Sequence, residues 1–106
     1  NFDQALNSAA TPVVVDFYAP WCGPCKMLAP LLDSLAGRLA GRVQFFKVNV
    51  DEAPGLARRF EVTGVPMLAF FANGELRDTV IGFPQPQELA RKLTNLMAGS
   101  PAEVRA

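Results

Sequence analysis

The run Val13–Tyr18, VVVDFY, constrains the fold more than any other stretch of the chain. Its side chains are β-branched, apolar or aromatic, broken by one carboxylate, and prolines at 12 and 20 bound it. A strand wetted on one face alternates apolar and polar residues; a continuous run reads as a strand buried on both faces, as in a parallel sheet. Such a strand needs cover above and below, and the neighbouring segments carry helical patterns able to supply it. Phe2, Ala5, Leu6 and Ala9 recur at helical spacing and predict a first helix ending before Thr11-Pro12. Leu28, Leu31, Leu32, Leu35 and Leu39 predict a second, running to Gly41. Pro30 falls inside it, where a proline removes a hydrogen bond at a cost of about 3 kcal/mol, so a kink is expected there.

Arg42–Asp51 reads as a second strand, after which Asp51 and Pro54 open a short helix carrying Leu56 and Phe60. Val65–Phe71 reads as a third strand, and Asn73-Gly74 is the strongest hairpin signal in the chain. The segment LRDTVIG returns antiparallel as a fourth strand. From about Pro86, a last helix carries Leu89, Leu93, Leu96 and Met97 and is stopped by Gly99 and Pro101. The expected fold class is α/β: a central mixed sheet of four strands flanked by helices on both faces, parallel crossovers first and a hairpin last. One domain spans residues 1–99, with 100–106 a frayed tail.

Size and charge narrow the function classes. A chain of 106 residues with 50% hydrophobic content can build a core without covalent help. Its formal net charge of zero, with no basic run, gives no electrostatic reason to expect nucleic acid or an anionic membrane as partner. No apolar stretch approaches the roughly 20 residues of a spanning helix. The opening NFDQALNSAATP has neither a basic region nor a hydrophobic run, so it does not read as a signal peptide; it also lacks an initiator Met.

The chemistry-bearing feature is Trp21-Cys22-Gly23-Pro24-Cys25-Lys26, which holds both cysteines of the chain. As a staple the pair is poorly placed, because so short a ring restrains the unfolded chain by only about 2 kcal/mol, against about 4.7 for a long loop. A zinc site needs four ligands, and with no histidine and no third cysteine only two copies sharing one ion could build it. A working redox pair remains, set between a buried strand and a helix. Cys22 falls at the start of that helix, where free N–H groups and the dipole favour a thiolate. Cys25 lies one turn further on, where its sulfur is expected to be more covered and less ionised. Cys22 is therefore the expected nucleophile and Cys25 the resolving thiol. Gly23 and Pro24 allow a tight turn, and Lys26 reads either as a nearby positive charge or as an ordinary solvated residue.

The sequence resembles the thioredoxin family closely. The resemblance rests on PVVVDFYAPWCGPCK, the proline at 30, KVNVD, VTGVPMLAFFANGE and IGF, which fall in family order and spacing over about 95 residues, most of a domain of this size. The redox reading is not independent of it, because a Cys-X-X-Cys beside a strand–helix pattern is that family's own hallmark. Asp16 illustrates what the resemblance adds. Its position alone leaves a buried carboxylate and a solvent-facing one equally open. The resemblance implies an aspartate buried beneath the cysteines that exchanges a proton with the resolving thiol, with Lys47 on the adjacent strand as its partner. Lys47 also reads as an ordinary snorkelling lysine. An X-Pro bond is cis in only about 5–6% of folded cases, yet the resemblance implies a cis Val65–Pro66 bond facing the cysteines. Substrate would then pair with the Val65 backbone. Trp21, Gly23, Pro24, Val65, Pro66, Gly82 and Phe83 are the expected docking surface.

Two departures from the family pattern stand out. The family begins with an extra strand ahead of the first helix, whereas this sequence starts at that helix, so the strand Arg42–Val50 is expected to be an unprotected edge. Met67 and Phe83 replace residues more usual in the family and are expected to bear on partner choice. The implied function is reduction of protein disulfides by dithiol exchange, with no bound cofactor or metal, only the redox-active Cys22–Cys25 pair. The implied partners are disulfide-containing proteins and an NADPH-dependent thioredoxin reductase, the chain acting as a cytoplasmic monomer. The alternatives are the same chemistry in an exported or membrane-tethered protein, and a non-catalytic interaction module on the same fold.

Overall fold

Alternation along β1 (Val13–Tyr18) sorts the whole molecule into two faces. The computed structural model describes residues 1–99. Val13, Val15 and Phe17 point into one core with Met67, Ala69 and Phe71 of β3 (Met67–Ala72). That core is covered by Leu6 of α1 (Phe2–Ser8) and by Leu56 beside Phe60 at the end of α3 (Pro54–Arg59). Val14 points the other way, with Leu68, Phe70 and Ala72. There α2 (Gly23–Arg38) contributes Leu28 and Leu32, and α4 (Pro86–Met97) contributes Leu89, Leu93 and Leu96. Each such side chain, fully buried, contributes about 1.5–3 kcal/mol. This is the helix-flanked α/β sheet that the continuous apolar run demands.

The sheet order is β2-β1-β3-β4, with β2 (Gln44–Asn49) parallel to β1 and β3 antiparallel to it. Only the first crossover, through α2, therefore joins parallel strands, where two were expected. The reason is length. Six residues of α3 rise only about 9 Å, short of the roughly 20 Å of a six-residue strand, so α3 cannot return the chain to the sheet's starting end. The strand then runs back antiparallel. The hairpin to β4 (Glu75–Ile81) forms at Asn73-Gly74, whose φ values of 55° and 78° are the pair of left-handed conformations a two-residue turn requires. Among the described residues, β2 pairs on one side only, as expected of an edge.

Three local expectations are corrected. The cap of α3 is Ala53, with no side-chain hydrogen bond, rather than Asp51; Pro54 does stand at its first turn. Helix α2 ends at Arg38, short of Gly41, with Pro30 inside it and its leucines at 28 and 32 facing the core. Met67 is 1% exposed, directed by strand alternation into the α1–α3 core, so its side chain is not part of any docking surface. The expected stop at Pro101 and the tail 100–106 lie outside the described residues.

Candidate functional site

The site forms where β1 ends and α2 begins, a junction that the prolines and glycine of APWCGP make abrupt. Cys22 is the N-cap of α2, with extended backbone (φ −88°, ψ 113°), and its Sγ accepts the Cys25 backbone N–H at 3.2 Å. A helix N-terminus leaves such N–H groups without intrahelical partners, so a sulfur placed there gains a hydrogen bond best satisfied by a thiolate. Cys25 lies one turn on, its Cα 5.3 Å from that of Cys22, and the two are joined as a disulfide. Burial does not distinguish them, contrary to expectation: each is 5% exposed. The asymmetry lies in the backbone, because the Cys25 N–H points at Cys22. Gly23 has no positive φ, and a Cβ there would meet nothing within 4 Å. The turn therefore does not require glycine at this position. Pro24 sits in the first turn of α2, where no intrahelical N–H is lost.

Asp16 shares the face of β1 that looks toward α2. It is 3% exposed and the only buried charged residue among those described. Its Oδ1 has no hydrogen-bond partner. Burial pushes its pKa up from 3.8 to about 6, and the positive charge of Lys47 pulls the other way. Lys47 stands opposite Asp16 in the β1–β2 register. It forms no ion pair with it, its Nζ instead lying 5.2 Å from the centre of the Tyr18 ring. A pocket of about 130 Å³ lies between Asp16 and Cys25, walled also by Ala29, Lys26 and Lys47. That is room for water, with a carboxylate and ammonium groups to hold it.

The segment opposite the cysteines comes from the start of β3. The Val65–Pro66 bond is cis, and Pro66 is buried while Val65 packs against the cysteine cluster. The Val65 carbonyl oxygen is 3.7 Å from Cys22 Sγ, close enough to accept from the thiol when the pair is reduced. Gly82, with φ 86°, donates its N–H to the Pro66 carbonyl at 2.8 Å, which fixes the end of β4 beside the cis bond. Phe83 follows and is 48% exposed.

Trp21, 70% exposed, is held upright by an indole N–H donated to Asp51 Oδ2 at 3.1 Å. Sequence reasoning missed this role for Asp51, and no local signal could have revealed it between residues 30 positions apart. An apolar groove of about 380 Å³ is lined by Trp21, Val65, Val62, Val50, Ala57 and Arg58. Trp21 and Val65 thus both line the groove, the Val65 carbonyl meets the Cys22 sulfur, and Gly82 bonds to Pro66. Lys47 walls the pocket beside Asp16 without pairing with it, and no contact joins Phe83 to the cysteines.

Neither a metal-binding constellation nor a membrane span emerges. Among the described residues no group of three or more His, Cys, Asp or Glu could hold a metal ion. No described helix is long and apolar enough to cross a membrane.

Comparison with known proteins points to one family. The Thioredoxin family model matches residues 1–95. A thioredoxin of Staphylococcus haemolyticus is 46% identical over 93 residues, 88% of this chain and 88% of that one. The chloroplastic M-type thioredoxin of Pisum sativum is 43% identical over 93 residues, 88% of this chain and 54% of the relative. The chain thus spans about half the length of the chloroplastic relatives. Mitochondrial thioredoxin 3 of Saccharomyces cerevisiae, in its oxidized form, superposes with a TM-score of 0.81 at 37% identity, covering 90% of this chain and 87% of that one.

Proposed function

The chain belongs to the thioredoxin family, and from that premise we propose that it is a thiol–disulfide oxidoreductase that reduces disulfide bonds in other proteins. The observation carrying this reading is the Cys25 N–H directed at Cys22 Sγ on the cap of α2, above a pocket that ends on Asp16. The reaction has two exchanges. The Cys22 thiolate attacks one sulfur of the substrate disulfide; that S–S bond breaks, and the other substrate sulfur leaves as a thiolate. Cys25 then gives its proton to the Asp16 carboxylate through the pocket and attacks Cys22 Sγ. The mixed disulfide breaks, the second substrate thiolate departs, and Cys22–Cys25 closes. Two electrons pass to the substrate, whose two sulfurs take up protons. Asp16 suits the task because a carboxylate near 6 is a better proton acceptor than one at 3.8.

Docking follows from the same surfaces. An extended substrate segment pairs with the Val65 backbone, Trp21, Pro24 and Phe83 give it apolar contact, and Gly23 and Gly82 add no side chain to the approach. Lys47 acts on Asp16 through its charge alone. No bound cofactor takes part; an NADPH-dependent thioredoxin reductase restores the dithiol. The chain acts as a monomer in the cytoplasm, a compartment reducing enough to keep the pair as dithiol between turnovers. Reduction of insulin disulfides tests the reading. Wild-type chain should accelerate insulin precipitation by dithiothreitol, and Cys22→Ser should not. A Cys25→Ser variant that turns over normally would refute the assigned roles.

A further inference from the structure

The groove beside Cys22 carries one charge. Its walls are apolar, from Trp21, Val50, Val62 and Val65, and Arg58 is the only charged side chain among the residues that line it. Arg58 and Arg59 both stand in the last turn of α3 and are exposed, but their surroundings differ. Arg59 is engaged, donating to both carboxylate oxygens of Asp3 at 3.1 and 2.8 Å and lying 4.8 Å from the centre of the Phe60 ring. Arg58 forms no ion pair among the described residues. Asp51, which accepts the Trp21 indole N–H, does not itself line the groove. A cation thus lines an apolar groove that also includes Val65, whose carbonyl oxygen lies 3.7 Å from the attacking sulfur.

Resting on the proposed disulfide reduction, we infer that Arg58 is a specificity-determining residue: it favours disulfide-bearing protein segments that carry an acidic side chain among apolar residues, near the attacked cysteine. A segment extended along Val65 lays its flanking side chains in the groove, each residue advancing about 3.3 Å. An acidic group on one of these flanking residues comes within reach of the long arginine side chain. Its carboxylate would take the planar, two-pronged pairing a guanidinium offers. A basic group at the same place meets an unneutralised like charge, with no carboxylate in the groove to offset it.

Disulfide-linked peptides that differ only in Glu or Lys at each of these positions test the inference. The pre-reduced full chain is mixed with each peptide and quenched in acid, and the second-order rate constant of peptide reduction is read from the thiol released. At the best position the Glu peptide should react about three-fold faster at low salt, the size expected of an exposed charge pair. That ratio should approach one in 1 M salt, reverse in Arg58→Glu and persist in Arg58→Lys. Taking the ratio within each variant cancels any change in cysteine reactivity. Equal rates at every position, or a Glu preference that survives Arg58→Glu, would overturn the inference and leave the reductase reading intact. Failure to reduce any of the peptides would overturn both.

Discussion

Replacing Asp16 with asparagine removes the only buried charged group among the described residues, and its effect can be worked out from the site. Burial raises the folded-state pKa from 3.8 to about 6, with Lys47 opposing. Below about pH 4 the carboxyl holds its proton in both folded and unfolded chains, and no ionisation penalty acts. Between 3.8 and about 6 the folded chain keeps a proton that the unfolded chain releases, so stability falls as pH rises. Above that range both states are ionised and the penalty is complete. A displacement of this size corresponds to about 3 kcal/mol. An asparagine side chain cannot ionise, so the Asp16→Asn variant should be more stable than wild type at pH 8 by about 2–3 kcal/mol, with the difference shrinking toward pH 4. Urea unfolding of the oxidised protein at a series of pH values measures it, the midpoint shifting while the slope stays constant. A difference that is the same at pH 4 and pH 8, or a wild type more stable at pH 8, would refute the desolvated carboxylate.

Three further outcomes are expected. Asp16→Asn should slow release of reduced substrate by about ten-fold or more while leaving formation of the mixed disulfide much less affected, as seen by rapid-quench kinetics. Lys47→Met removes the charge that lowers the Asp16 pKa, so the pH midpoint of the release step should move upward; a downward move would deny the coupling. Two glycine substitutions should act in opposite directions in thermal unfolding. Gly37→Ala, in α2 with open space around the new Cβ, should stabilise by about 0.4–1 kcal/mol. Gly74→Ala should destabilise by at least about 1 kcal/mol, because φ is 78° and the new Cβ would stand 2.6 Å from Asn7 Oδ1.

Much of the architecture was legible because the signals are local. The apolar run of β1, the leucine spacing of α2 and α4, and Asn73-Gly74 each state their own conformation. Cys22 at a helix start follows from the same local grammar. What could not be read locally depended on which strands become neighbours. The even choice for Asp16 turned on whether α2 covers its face of β1, and Met67 reads as a surface residue until β3 takes its register. The direction of β3 was lost because helix length, rather than helix presence, decides whether a connection returns the chain. Trp21–Asp51 and the groove lined by Arg58 arise from segments distant in sequence, and neither has a local pattern to announce it.

The central claim is that Cys22 attacks and Cys25 resolves. Intact mass spectrometry after reaction of single-cysteine variants with a disulfide-linked peptide tests it most directly. Cys25→Ser should accumulate one covalent peptide adduct, mapped by digestion to Cys22 and persisting after free peptide is removed. Cys22→Ser should form adduct far more slowly, since its remaining sulfur lacks the helix N-cap position. Rapid, stable adduct at Cys25 in Cys22→Ser, with little at Cys22 in Cys25→Ser, would contradict the account.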